Sequence, residues 1–134
     1  MAAPLIAKDI RDYLVNTVGL TSVFIDAMTS TPVAQYAVVE FSGLDNIKTH
    51  GGGAGSGVKL DEGMVQVQCR NATVQTARTN IMAVVDALDG KKDTTINSVV
   101  YTYMTLSGRP RLFEKLEDGS CIFIAEFRVQ ARRA

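Results

Sequence analysis

Residues Met64–Leu88, MVQVQCRNATVQTARTNIMAVVDAL, change their hydrophobic period partway along. Val65, Val67 and Cys69 alternate with Gln66, Gln68 and Arg70, the period of two that marks a half-buried strand. From Val74 the apolar positions become Val74, Ala77, Ile81, Val84, Val85 and Leu88, one face of an amphipathic helix. Asn71 stands where an N-cap is expected. A strand feeding straight into a helix requires a layered domain, because neither element buries its apolar face alone.

Upstream, the spacing predicts a helix over Pro4–Val18, with Pro4 in its first turn and Gly19 as a left-handed cap. Ile6, Ile10, Tyr13, Leu14 and Val18 form its apolar stripe, leaving Lys8, Asp9, Arg11 and Asp12 toward water. Ser22–Asp26 reads as a short strand, the TSTP segment ending at Pro32 as a reversing turn, and Gln35–Phe41 as a second strand. Downstream, Gly90 ends the second helix, and Lys91 and Lys92 stand near its negative end. Thr95–Leu106 alternates as one long strand, with Val99, Tyr101 and Tyr103 opposite Val100, Thr102 and Met104. Arg111–Lys115 is a short extended piece, Asp118-Gly119 a turn, and Ser120–Arg132 the last strand.

Strands that follow one another without intervening helices predict an α+β fold. The expected architecture is a mixed, largely antiparallel sheet with two main helices packed on one face. The strands 95–106 and 120–132 carry apolar residues on both faces, so the side away from the helices calls for a second cover, most simply a partner subunit. Ser42–Gly63 has no periodicity and is long for a connection within one domain. The expectation is a single domain, 1–134, with a flexible Gly-rich loop at about 42–63 that is mobile alone and orders against a neighbour.

The 134-residue length suits one domain, and the 46% apolar content is that of a globular chain. No apolar run approaches the ~20 residues needed to span a bilayer. The first residues, MAAPLIAKDIRD, lack the basic-then-apolar order of a signal peptide, which points to a cytosolic chain. Fourteen basic residues balance fourteen acidic ones, so neither membrane nor nucleic acid is expected as a primary partner. Cys69 and Cys121 sit in alternating apolar patterns and read as buried thiols rather than ligands or a bridge. Neither belongs to a C-x-x-C pair, and the sole histidine, His50, lies among glycines, so no metal site is expected.

The glycine run resembles a phosphate loop only in part. Gly52 and Gly57 have the Walker spacing, but Val58 follows and Lys59 is one place late. A strand rather than a helix comes next, so no helix N-terminus is there to hold an anion. A nucleophile triad would have to draw its base from that same glycine loop, where preorganisation is poor. Carboxylate chemistry through Asp26, Glu40, Asp86 and Glu126 stays open. No cofactor is expected. Arginine's planar fork suits interface ion pairs, which makes Arg70, Arg109, Arg111, Arg128 and Arg132 candidate subunit or partner contacts. His50 and Lys59, beside the glycines, complete that set.

The order of elements resembles the tail terminator proteins of long-tailed bacteriophages and related small proteins described as phage minor capsid proteins. The resemblance lies in the opening helix IAKDIRDYLV, the strand VFID, a Pro-containing turn, the long loop, VQVQCR running into TVQTARTNIMAVVDAL, and the final FIAEFRVQARR. The segment GGGAGSG has no counterpart in that pattern. The resemblance implies a non-enzymatic, ring-forming virion protein, typically a hexamer, assembled in the host cytoplasm. Such a ring caps the tail tube at full length and presents the surface that the filled head binds. Its implied partners are other copies of itself, the tail tube protein and a head-completion or neck protein. The alternatives are a head-completion or neck protein itself, and a small ligand-binding or enzymatic domain using the glycine loop.

Overall fold

The computed structural model describes residues 6–29, 32–48 and 59–133. Its strands are β1 (Val23–Ile25), β2 (Gln35–Lys48), β3 (Lys59–Asn71), β4 (Lys91–Ile96), β5 (Val99–Leu106), β6 (Arg111–Lys115) and β7 (Cys121–Arg133). They form one seven-stranded sheet in the order β1-β2-β3-β7-β5-β4, with β6 also paired to β7. Only β1 and β2 are parallel; the other pairs run antiparallel. Two helices, α1 (Ile6–Tyr13) and α2 (Val74–Leu88), cover one face, as an α+β reading requires.

The core lies between those helices and the odd-numbered residues of β7. Cys121, Phe123, Ala125, Phe127, Val129 and Ala131 are all buried, beside Val65, Val67 and Cys69 of β3. Ile81, Val84 and Leu88 of α2 and Ile6, Ile10 and Leu14 of the first helical segment close over them. Both cysteines are free and buried. Burial pushes the Cys69 thiol up to about 12, so it packs as a small neutral group.

Several expectations shift, each for a local reason. After Tyr13 the chain winds as a π-helical turn over Leu14–Val18, with Gly19 at φ 91° donating to the Leu14 carbonyl. The wider turn takes Val18 off the apolar stripe, and it is 37% exposed. The N-cap of α2 is Thr73, whose hydroxyl accepts from the Thr76 N–H at 3.2 Å, while Asn71 still belongs to β3. β1 and β2 do not form the hairpin that a reversing turn implies, since Val23 pairs in parallel with Tyr36. That connection is tied instead by the buried Gln35 amide, which accepts from the Thr29 N–H and donates to the Thr29 and Pro32 carbonyls.

Strands occupy both described ends of the segment expected to be irregular at 42–63. β2 continues to Lys48 and β3 begins at Lys59, where the two residues pair. Lys59–Gly63 also pairs with Val129–Arg133. Backbone ladders rather than an alternating apolar face hold this part, so periodicity could not reveal it. His50 and the glycines between 51 and 57 lie outside the described residues.

The single strand expected over Thr95–Leu106 is a hairpin. Asn97 and Ser98 sit at φ 50° and 65°, the two left-handed positions of a type I′ turn. A register shift between Tyr101 and Tyr103 then places Thr102 and Tyr103 together on the outer face and returns Met104 to the core. Asp9, expected in water, is 4% exposed. It accepts hydrogen bonds from the buried Tyr101 hydroxyl and from Asn97 Nδ2, the latter at 2.8 Å. Asn97 Nδ2 also lies 2.9 Å from Asp12 Oδ2. One turn thereby fixes α1 against the β4–β5 hairpin.

Truncating Leu88 to alanine is expected to cost about 2–5 kcal/mol in urea unfolding, because the side chain is fully buried. A loss under ~0.5 kcal/mol, typical of surface sites, contradicts this packing. Tyr101→Phe leaves one oxygen of a buried carboxylate without its donor and should cost about 1–3 kcal/mol in the same measurement. An unchanged midpoint would show that the Asp9 network adds nothing to stability.

Candidate interaction surfaces

The sheet face away from the helices mixes polar and apolar groups. One row across it runs Phe24, Ala37, Gln68, Ile124 and Arg111. Ile122 and Ile124 are the apolar residues that suggested a missing cover, yet they are 9% and 0% exposed. Their register neighbours on this face are Arg70 and Glu114, and Gln68 and Arg111, so long polar side chains flank both. Polar side chains thus border both isoleucines on the outer face.

What lies beside the two isoleucines is a hydrogen-bonded polar lattice. Gln68 Nε2 donates to Gln66 Oε1 at 2.8 Å, and Arg111 Nη1 sits 3.0 Å from Glu126 Oε1. Tyr103 donates to Glu62 Oε2 at 2.7 Å, and Arg128 Nε approaches the other Glu62 oxygen at 3.7 Å. Desolvation, and next the Glu62 bond and charge, push the Tyr103 phenol up to about 12. It donates its proton to Glu62 throughout the physiological range.

Four of the basic residues singled out from the sequence come to this outer face: Arg70, Arg111, Arg128 and Arg132. Arg70 is committed to its own chain, donating to the Val33 and Pro32 carbonyls at 3.1 and 2.9 Å. Arg111 and Arg128 are ion-paired as above. Arg132 and Arg109 are exposed, with no ion pair among the described residues. Arg109 lies in the β5–β6 connection, two residues before Arg111. Lys59 opens β3, and His50 is outside the described residues.

Of the six large exposed apolar groups among the described residues, five lie at the two ends of the row; the sixth is Val18 at the end of the first helical segment. At one end Ile25 of β1 and Val33, in the β1–β2 connection, are 36% and 39% exposed. Asp26 follows Ile25 at φ 71°. Glu40, on β2, is raised above the ordinary carboxylate range by partial desolvation and next by the Asp26 charge, which puts two acidic groups side by side. At the other end Met82, Leu112 and Phe113 are 43%, 45% and 57% exposed. A groove of about 370 Å³ runs there between α2 (Val74, Arg78, Met82) and the start of β6 (Pro110, Arg111, Leu112), over Phe123. The Arg78 guanidinium lies 5.8 Å from the centre of the Phe123 ring. Sequence reading passed over these residues; the signal was the adjacent pair Leu112-Phe113, which a strand cannot bury on one face.

The carboxylates considered for chemistry do not converge. Asp26 and Glu40 are neighbours, Glu126 is paired to Arg111 on the outer face, and Asp86 is exposed on α2. Among the described residues no group of three His, Cys, Asp or Glu could hold a metal ion. Nor is any helix there long and apolar enough to cross a membrane.

Comparison with known proteins adds what the geometry alone does not give. No curated protein matches the chain. Among solved structures, a chain from the virion of a native gene transfer agent particle superposes with a TM-score of 0.56 at 20% identity, covering 90% of this chain and 84% of that one. A second solved chain gives a TM-score of 0.56 at 12% identity, with 96% and 91% covered. At such identities the likeness speaks for the fold. The sequence profile of bacteriophage tail terminator proteins matches residues 7–133, nearly the whole length. This chain therefore belongs to the bacteriophage tail terminator family and is a phage structural protein.

Proposed function

We propose that the protein forms a closed ring on the end of the phage tail tube, stops its elongation there and offers the surface to which the filled head attaches. The family match over 7–133 is the observation that carries this reading. The exposed apolar groups support it from the side of physics. Five of the six lie in two different patches at two edges of the sheet, which suits the head-to-tail contact that a ring uses. The subunit number, six, follows the family resemblance. The partners in this reading are further copies of the chain, the tail tube protein and a head-completion or neck protein. Its site is the virion tail, after assembly in the host cytoplasm. No catalytic step belongs to it. Of the basic residues, Arg109 and Arg132 are the ones we assign to contacts with neighbours, since their charges are not met within the described chain.

Adding the purified protein to polymerising tail tube subunits should yield capped tubes that stop growing, with a ring visible at one end. Light scattering should give a mass several times that of the 14.5 kDa chain, alone or on the tube. Tubes that overgrow equally with and without the protein would contradict the capping role.

A further inference from the structure

We infer that successive copies in the ring meet edge to edge, the groove between α2 and β6 of one copy receiving the β1 edge of the next. Phe113, Leu112 and Met82 then pack on Ile25 and Val33, while Arg78 faces Asp26 and Glu40. This rests on the ring reading and goes further by naming both halves of the contact.

Three observations carry it. First, β1 and β6 terminate the same row of the sheet, because Ile25 pairs with Val38, Val38 with Val67, Val67 with Ala125, and neighbouring Ile124 with Arg111. Both strands are edges, each paired on one side only among the described residues. Second, both patches lie on the helix-covered side of the sheet. Ile25 shares the side of buried Val38, and Leu112 that of buried Phe123. β6 runs opposite to β1 across the row, so the two edges meet antiparallel when one copy continues the other, and their open N–H and C=O groups can pair.

Third, charge selects the pairing. Arg78 at the groove has no ion pair among the described residues, and neither do Asp26, at the end of β1, and Glu40 beside it on β2. A two-fold contact of groove on groove would set arginine against arginine, and edge on edge would set carboxylate against carboxylate. Only groove on edge brings opposite signs together. Such a contact uses a different surface on each side, so it propagates around a ring rather than stopping at a pair.

Phe113→Asp disables the groove and Ile25→Asp the β1 edge, both at exposed positions. Each variant alone should raise the concentration for half-assembly by about tenfold or more. Mixed in equal amounts, the two should give a discrete two-chain species by native mass spectrometry. One intact groove then holds one intact edge, and both outer ends are blocked. Circular dichroism melts check that each variant is folded, and Met82→Asp replaces Phe113→Asp if the latter melts early. Variants that assemble like wild type overturn this contact and leave the ring reading standing. A mixture that stays monomeric, or that forms full rings, also overturns it. Wild-type protein that never assembles, with or without tail tubes, overturns the ring reading itself and the contact with it.

Discussion

Strand β7 has one neighbour along its whole length on one edge and two neighbours laid end to end on the other. β3 pairs with Cys121 through Arg133. Opposite it, β6 takes Cys121–Ile124 and β5 takes Phe127–Arg132. The junction between them is closed by the Ser107 N–H, which donates to the Glu126 carbonyl at 2.7 Å. Gly108 at φ 88° then lets the chain leave the sheet and return as β6. Because β4 extends the sheet beyond β5 alone, β6 stays an open edge. The groove beside α2 exists because the sheet is one strand narrower there.

The rest of the polar chemistry keeps other surfaces from competing with that edge. On the outer face, glutamine, arginine and glutamate side chains bond to one another beside the two isoleucines. Beneath the helices, the buried pair of Asp9 and Tyr101, joined by the exposed Asn97 of the turn, fixes how α1 sits. Desolvation and the Asp9 bond drive the Tyr101 phenol far upward, so it remains a proton donor. Five of the six large exposed apolar groups stand at the two ends of one row.

Elements whose burial depends on a single face could be read directly. The β3–α2 stretch and the odd residues of β7 bury one side each, and their periods of two and of 3.6 are visible in the residues. The type I′ turn escaped because Asn97-Ser98 carries no glycine, and its left-handed angles are sustained by Asn97 bonding to Asp9 and Asp12. The extension of β2 and β3 escaped because those residues are held by backbone pairing, which leaves no hydrophobic rhythm. Asp9 escaped because a carboxylate on a helix reads as solvated until its partner, Tyr101, arrives from 92 positions away. The candidate surface was the least legible part. Arginines were the sensible residues to suspect, but three of them are already occupied within the chain, and the exposed Leu112, Phe113 and Met82 come from elements distant in sequence.

A density map of the protein assembled on tail tube ends, at a resolution that separates strands, tests the central claim most directly. The account predicts a closed ring in which β6 of each copy lies against β1 of the next, with Phe113 buried and Arg78 beside Asp26. Copies related by two-fold axes, or a ring in which β6 and the α2 groove face solvent, would contradict it.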